Sequence, residues 1–122
     1  MHLTNLVVPA SSDWGYSWPL LGEDGVTPLD TDGWSASGLA TTWDPETGSV
    51  IQARWSSTPA TGEGLLDLGD SALTLFVASE MSADWRWVLG QYELSLVDPS
   101  GRVDRTIGGR MTVDRSISPV VA

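Results

Sequence analysis

The sequence has 122 residues, of which 16 are Asp or Glu and six are Arg, so its net charge is −10; Lys and Cys are absent and His2 is the single histidine. A chain of this length forms one domain with its own core and needs no disulfide. The composition excludes thiolate metal sites, lysine-based covalent chemistry and a Ser-His-Asp triad, and the negative charge disfavours nucleic acid. We therefore expect one domain over residues 1–122, with flexible ends at residues 1–3 and 116–122 and no membrane-spanning segment.

Turn-forming residues punctuate the chain at short intervals, and runs of alternating apolar and polar residues lie between them. This pattern is typical of an all-β sandwich or barrel. The runs predict strands at residues 4–8, 14–20, 35–43, 50–55, 64–68, 72–78, 91–97, 102–107 and 110–114. We therefore predict an all-β fold, an antiparallel β-sandwich of about seven to nine short strands.

Two of the early strands carry features of their own. The second strand places Trp14, Tyr16 and Trp18 on one face, and Pro19 indicates an edge strand because proline cannot donate to a β-ladder. In the third strand, Gly38 indicates a β-bulge.

The last strands form the clearest unit. Asp98-Pro99-Ser100-Gly101 has the residues of a type I turn and predicts a hairpin. The double glycine at residues 108–109 is expected to fold the second hairpin strand onto a third one. Ser82 predicts the cap of one short helical turn near residues 82–87.

The carboxylates show no arrangement that specifies a reaction. Asp30-Thr31-Asp32-Gly33 begins like a calcium loop, but Ser35 and Thr41 stand where an EF-hand has its glycine and its bidentate glutamate, so a turn is predicted. The neighbouring pairs in turn-like segments are Asp44 with Glu46, and Asp67 with Asp70. We expect these pairs to be non-catalytic, and we expect no metal or cofactor.

Seven tryptophans are the unusual feature of the composition. Because the chain has one Phe and two Tyr, tryptophan is expected mainly to fill the core and subunit contacts. The alternative is a glycan-binding face of stacked rings, formed by Trp14, Tyr16 and Trp18. Trp85-Arg86-Trp87 is either a plug at one end of the fold or an interface anchor, and the residues alone leave both open.

Charge is distributed unevenly along the chain. Residues 1–84 contain 12 acidic residues and one Arg, whereas residues 85–122 contain four acidic residues and five Arg. An acidic side and an Arg-bearing side suit docking to another protein or another copy. The interface candidates are Trp85, Arg86, Trp87, Arg102, Arg105, Arg110 and Arg115. Arg105 interrupts the apolar alternation between Val103 and Ile107, so it is expected to be paired, at an edge or in an interface.

Several short motifs have a familiar arrangement, with the densest group in the C-terminal half. The motifs are Asp13-Trp14, Asp24-Gly25 followed by Pro28-Leu29, the Gly-x-Tyr-x-Leu strand from Gly90, the turn ending in Gly101-Arg102-Val103, and the Gly-x-x-Thr-Val strand from Gly109. Together they resemble the LtfC-type β-sandwich domain of tailed phages that infect Actinobacteria, most strongly from Ala72 onward.

The resemblance implies a structural virion protein without catalytic residues: an adaptor or connector β-sandwich in the tail tip, tail fibre or baseplate, assembled in the host cytoplasm. It implies multivalent docking to other virion proteins and to copies of itself in a symmetric assembly. The alternatives are a carbohydrate-binding module for a host-surface glycan, and a capsid decoration or head–tail connector protein. No nucleic-acid partner and no membrane insertion are expected.

Overall fold

The computed structural model describes residues 2–69 and 71–115, which form nine strands and one short helix, so the all-β prediction is confirmed. The elements are β1 (His2–Leu3), β2 (Leu6–Pro9), β3 (Trp14–Pro19), β4 (Ser35–Asp44), β5 (Gly48–Ser56), β6 (Gly64–Asp67), β7 (Ala72–Val77), α1 (Ser79–Ala83), β8 (Leu89–Val97) and β9 (Val103–Asp114). The expected flexible ends at residue 1 and residues 116–122 lie outside the described residues, whereas residues 2 and 3 form β1.

One path of hydrogen-bonded strands runs in the order β1-β9-β8-β4-β5-β6-β7-β3, and β2 also pairs with β9. β1 and β2 lie parallel to β9, and β6 lies parallel to β5, whereas the remaining pairs are antiparallel. Only two residues of each strand pair between β5 and β6, so this narrow link joins a larger group of strands to the smaller group β6, β7 and β3. Pro19 ends β3, which lies at one end of the path, as predicted for an edge strand.

The two ends of the strand path approach each other at Thr4, which lies between β1 and β2. The indole Nε1 of Trp18 in β3 donates to the Thr4 hydroxyl at 3.2 Å, and the hydroxyl of Tyr92 in β8 donates to the Thr4 carbonyl. The rings of Trp18 and Tyr92 lie 6.3 Å apart. These three residues, here called the seam, connect β3 to the opposite end of the path, so the sheet is nearly closed.

The core lies inside this nearly closed sheet, and its residues confirm the predicted alternation on two strands. The buried residues of β7 and β8 that alternate as predicted are Leu73, Leu75, Val77, Tyr92, Leu94 and Leu96. Trp55 of β5 is 1% exposed, and its Nε1 donates to the Phe76 carbonyl at 2.9 Å. The largest of the side chains that are less than 2% exposed therefore has its polar atom satisfied.

The sequence predicted a β-bulge at Gly38, but the bulge lies elsewhere in the β4–β5 pair. The register between β4 and β5 shifts immediately before Thr41, where Gln52 is the extra residue of β5. This shift leaves Ile51 exposed, although strict alternation along β5 would place it on the same face as the buried Trp55. Gly38 is needed for a different reason, because a Cβ there would lie 2.9 Å from the backbone carbonyl oxygen of Glu93.

The predicted hairpin between β8 and β9 is confirmed. The Gly101 amide donates to the Asp98 carbonyl at 3.0 Å, which closes the turn. The Asp98 carboxylate accepts hydrogen bonds from the Ser100 hydroxyl at 2.6 Å and from the Arg102 amide at 3.0 Å. These bonds, the Ser100 hydroxyl first, hold the pKa of Asp98 below its ordinary value. The turn therefore keeps its charged cap at neutral pH.

The prediction of a chain reversal at the double glycine is wrong, because β9 continues through Gly108 and Gly109 without a break. Its partner β8 pairs along this whole stretch, with Tyr92 opposite Gly109. A Cβ on Gly109 would lie 2.4 Å from the Thr4 carbonyl oxygen, and the Arg110 amide donates to Asn5 Oδ1 at 3.1 Å. Gly109 therefore allows the segment between β1 and β2 to pass close to β9. From the sequence alone, a glycine needed for such a close approach looks the same as a glycine needed for a turn.

The helical turn begins earlier than predicted and Ser82 does not cap it. Helix α1 starts at Ser79, whose amide donates to the Asp13 carboxylate at 2.7 Å, so the cap comes from the segment before β3. Ser82 is buried inside α1, where its hydroxyl accepts a hydrogen bond from the Ser11 amide at 2.8 Å. The sequence did not predict this cap because its acceptor lies 66 residues away.

We expect Gly109→Ala to lower the free energy of unfolding by about 2 kcal/mol or more, because the added methyl group meets the rigid Thr4 backbone. Gly22→Ala is the matched control, since its Cβ would have only ordinary contacts, and its effect should stay within about 0.5 kcal/mol. Urea unfolding followed by circular dichroism measures both values. Equal effects in the two variants would contradict the close approach of Thr4 to β9.

The seam also predicts a pH dependence. Burial, with a smaller contribution from the nearby Tyr16, raises the pKa of Tyr92 to about 12, above its ordinary value of 10.0. The protonated phenol therefore contributes stability that is complete below about pH 10 and is lost as the pH rises through about 12. Tyr92→Phe should be less stable than the wild type by about 1 kcal/mol at neutral pH, since the Thr4 carbonyl loses its donor. Urea unfolding at neutral pH and near pH 11 should show this difference shrinking, and a constant difference contradicts the assignment.

Candidate binding face

The side of β2, β9, β8, β4 and β5 that points away from the core forms a surface that we call the outer face. Strand register fixes which of its residues are neighbours. Two adjacent rows, read from β9 through β8 and β4 to β5, are Arg110, Gln91, Thr41 and Ile51, and then Gly108, Glu93, Leu39 and Arg54. Trp43 lies at the end of β4, opposite Ser49 of β5. Charged, polar and aromatic side chains from separate parts of the chain therefore meet on one surface.

Two adjoining concavities of about 400 and 470 Å³ cross the outer face and share Thr41 and Gln91. Together they form what we call the outer groove. Its first part is lined by residues that include Ser37, Arg54, Ser56, Glu63 and Glu93. Its second part is lined by residues that include Thr42, Trp43, Ser49, Leu89 and Arg110. The groove is open and mostly polar along its length, which suits an elongated polar ligand better than an enclosed apolar one.

Trp43 is the one exposed tryptophan of the seven, with 75% of its surface accessible. Leu89 and Ile51, also on the outer face, are exposed as well. Exposed apolar side chains that lie on one face are a feature of surfaces that bind a ligand or a partner.

The outer groove contains polar side chains without internal partners. The guanidinium groups of Arg54 and Arg110 and the amide of Gln91 form no hydrogen bond or ion pair with any residue in the described part of the chain. All three groups are planar and can form two parallel hydrogen bonds to one ligand. The groove therefore presents hydrogen-bonding capacity that the fold itself does not use.

Trp85 and Trp87, predicted as a plug or an interface anchor, lie in the core at 6% and 8% exposure. Their rings lie 4.9 Å apart, and Trp85 meets Trp55 edge-on at 6.4 Å. This burial favours the plug. Trp87 Nε1 has no hydrogen-bond partner among the described residues, so the plug is held mainly by apolar packing.

Arg115 fastens this plug from the end of β9. Its Nη2 donates to the carbonyl of Trp85 and, at 3.1 Å, to that of Trp87. Arg86 is exposed, and its guanidinium donates to the carbonyls of Ala83 and Trp85 at 3.3 Å. Both arginines therefore have internal roles on the plug segment.

The remaining candidate arginines lie apart from one another. Arg105 is paired, which was one of the three alternatives expected for it. Its guanidinium forms an ion pair with Asp104 at 2.6 Å and donates hydrogen bonds to the Leu21 carbonyl at 3.3 Å. Arg102 lies exposed beside the hairpin turn, and Arg110 lies in the outer groove. The structure therefore brings the predicted arginines to separate places and not to one patch.

Trp14, Tyr16 and Trp18 do not form one exposed platform. On β3 they lie opposite the buried residues Val77, Leu75 and Leu73 of β7, so they face the core. Trp18 is buried in the seam, Trp14 is half-buried, and Tyr16 is 39% exposed. The three rings therefore do not form the continuous exposed surface that was predicted to bind a glycan, because the pairing with β7 places them on the side of the buried β7 residues.

The acidic turns are capped by their own carboxylates. Asp24 accepts hydrogen bonds from the Thr27 hydroxyl and from the amides of Val26 at 3.0 Å and Thr27 at 2.8 Å, which lower its pKa from 3.8 to about 2. Asp30 accepts from the Asp32 amide at 3.0 Å, and Asp44 from the Glu46 amide at 2.7 Å.

These contacts fit the prediction that Asp30-Thr31-Asp32-Gly33 is a turn. In residues 2–69 and 71–115 no group of three or more metal-binding side chains comes together. Asp70, one member of a predicted carboxylate pair, lies outside the described residues.

Sequence reasoning missed Trp43 and the outer groove, although the pattern of β4 contains a signal for them. The inward residues of this strand are small, namely Ala36, Gly38 and Ala40, and the residues that alternate with them are mostly polar. Trp43 occupies the next outward position of this alternation, so its exposure follows from the two-residue period of the strand. Gln91 and Arg110 become its neighbours only through pairing of strands that are distant in sequence.

Among the residues that the structure describes, no helix is long and apolar enough to cross a membrane. The sequence matches no known family model and no curated protein at a significant level. The geometry and the motifs therefore provide the basis for a functional proposal.

We expect Arg115→Ala to lower the free energy of unfolding by about 1–2 kcal/mol, because the Trp87 carbonyl loses its charged donor and the Trp85 carbonyl keeps only the donor from Arg86. Arg102→Ala is the control, since that exposed guanidinium makes no bond within the described chain, and its effect should stay within about 0.5 kcal/mol. Differential scanning calorimetry compares the two variants. An Arg115 variant as stable as the Arg102 variant would show that the plug does not depend on this contact.

Proposed function

We propose that the protein is a structural component of a tailed-phage virion: a non-catalytic β-sandwich adaptor in the tail tip, tail fibre or baseplate that docks to neighbouring virion proteins and to copies of itself. The resemblance of its motifs to the LtfC-type domain supports this proposal. The observation that carries it is a rigid end of the fold with exposed apolar residues and an unpaired arginine, described below. A scaffold with stiff, capped loops is what an adaptor needs, because docking then orders little additional chain.

The sandwich consists of two layers, one formed by β1, β2, β9, β8, β4 and β5 and the other by β6, β7 and β3. Two contacts across the core support this arrangement. Trp18 of β3 packs against Tyr92 of β8, and Trp55 of β5 donates to the Phe76 carbonyl of β7. The narrow β5–β6 link marks the edge where the chain passes from one layer to the other.

The docking surface that we assign is the hairpin end, defined by the exposed residues Leu21, Val26, Arg102 and Val103. Arg105 ties the loop that contains Leu21 to β9 through its bonds to the Leu21 carbonyl. This bond brings the loop and the hairpin together as one surface. Exposed apolar side chains and an unpaired arginine on one surface can be buried together against a partner protein.

The loop that presents Val26 is stiffened by its own bonds. The Gly22 amide donates to the Thr27 carbonyl at 2.8 Å, and Asp24 caps the amides of Val26 and Thr27. Because the pKa of Asp24 is about 2, the cap remains charged in any mildly acidic medium. A tip of this kind docks without first having to be ordered, and repetition in a symmetric assembly multiplies a modest affinity.

The proposal predicts that particles of the virus that encodes this chain contain it in several copies, which quantitative mass spectrometry of purified virions counts. In virions complemented with the Val26→Asp, Arg102→Glu double variant, incorporation should fall at least about tenfold, since a charge replaces an apolar contact and the charge of Arg102 is reversed. Absence of the wild-type chain from purified particles overturns the virion function.

Glu46→Arg is the matched control for this experiment, because it reverses an exposed charge at the other end of β4. Its incorporation should equal that of the wild type, and both variants should melt cooperatively. Wild-type incorporation of the double variant would overturn the hairpin end as the docking surface. Cryo-EM of the particle separates the tail position from the alternative of a capsid decoration or head–tail connector.

A further inference from the structure

We propose that the outer groove is a saccharide-binding site, with Trp43 as the platform on which a pyranose ring stacks and with Gln91 and Arg110 as the side chains that bind its hydroxyls. The ligand class is an extended chain of pyranoses with adjacent hydroxyl groups. This site goes beyond the proposed virion function and lies on a different surface from the hairpin end.

Trp43 has the exposure and support that stacking requires. Four other tryptophans are buried and two are half-buried, so the fold places its remaining indoles against protein and leaves this one in water. The position of a Cβ on Gly48 lies 3.9 Å from Trp43 Cζ3, so the ring stands beside the β4–β5 turn while most of it remains open. An aromatic face carries partial negative charge and attracts the polarised C–H groups of a sugar ring.

The hydrogen-bonding groups lie next to this platform. Gln91 is opposite Arg110 across β8 and β9, and it is opposite Thr41 across β8 and β4. Since the amide and the guanidinium have no bonding partner among described side chains or backbone atoms, both are available to a ligand. Two adjacent sugar hydroxyls match the two parallel bonds that a planar amide or guanidinium forms.

The shape and charge of the groove favour a polysaccharide over other elongated ligands. Beyond Gln91 the groove continues past Glu93 to Arg54, which offers an acceptor and a donor for further sugar units. The net charge of −10 repels nucleic acid. Polar side chains alternate with a few apolar ones along the groove, which suits a ligand that presents both hydroxyl groups and ring faces better than a purely apolar peptide.

Among the described residues that line the part of the groove around Trp43, Arg110 is the only charged one, so the sugar bound there is either neutral or a uronic acid. The shared chemistry is ring stacking with bonds to adjacent hydroxyls. The two cases are distinguished by the probes: cellohexaose and mannohexaose are neutral, and hexagalacturonate is acidic.

The test is a titration of the full chain with each hexasaccharide, followed by two-dimensional ¹H–¹⁵N NMR and by isothermal titration calorimetry. We expect millimolar or tighter binding of at least one probe, with shifts of the Trp43 indole N–H and the Gln91 side-chain amide. Trp43→Ala should weaken binding at least about tenfold, and Trp43→Tyr should restore part of it, since a smaller ring still stacks. Gln91→Ala and Arg110→Ala should each weaken binding about fivefold.

Tyr16→Ala is the control, because Tyr16 is the exposed ring of the other candidate face, and it should leave saccharide affinity unchanged. Thermal melting checks that each variant is folded, which is expected for Trp43→Ala given the exposure of that side chain. No binding of any probe, binding unaffected by Trp43→Ala, or shifts confined to Trp14 and Tyr16 would each overturn the proposal. Virions that exclude the Trp43→Ala variant would overturn it as well, because the outer face would then be a protein interface. Failure of virion incorporation in the wild type bears only on the virion function.

Discussion

The seam at Thr4 is the constraint on which the rest of the structure depends. This one residue accepts hydrogen bonds from Trp18 and Tyr92, while its amide donates to the Gly108 carbonyl at 2.9 Å. It thereby contacts β3, β8 and β9, strands from both ends of the hydrogen-bonded path. Because its carbonyl lies so close to Gly109, a side chain at that position is excluded. The two ends of the strand path meet at this point, and the two large rings that meet there both belong to the core.

The outer face follows from the way the interior is filled. On β4 the inward residues Ala36, Gly38 and Ala40 are small, and the neighbouring strands supply the large core side chains, notably Trp55 and Tyr92. The outward side of β4 is therefore free to carry polar groups and one exposed indole. Because the neighbouring strands supply the large core side chains, the outward side chains of β4 do not pack into the core. A binding groove on this surface can change its specificity without disturbing the packing beneath it.

The sequence was sufficient for features that rest on local chemistry, and insufficient for those that rest on distant contacts. The alternation in β7 and β8 and the Asp98 turn depend on residues a few positions apart, and these predictions were confirmed. The prediction of a chain reversal at Gly108 and Gly109 was wrong, because two adjacent glycines are found both in turns and where two backbone segments pass close to each other. Ser82 was assigned as a cap although the actual acceptor, Asp13, lies far away in the chain. The outer groove was missed for the same reason, since its residues become neighbours only through long-range strand pairing.

The pairing of β1 and β2 with β9 has a consequence for how the chain reaches its native state. Asn5 bonds to the Arg110 amide, 105 residues away, so the first strands obtain their partner only after β9 has been synthesised. Until then Leu6 and Val8, which are both buried in the folded protein, remain exposed to solvent. A topology of such high contact order folds slowly, because a long loop must close before the contacts that stabilise it exist. We expect the nascent chain to be vulnerable to aggregation and proteolysis until β9 has emerged, and production in cells to depend on chaperones more strongly than the stability of the folded protein indicates.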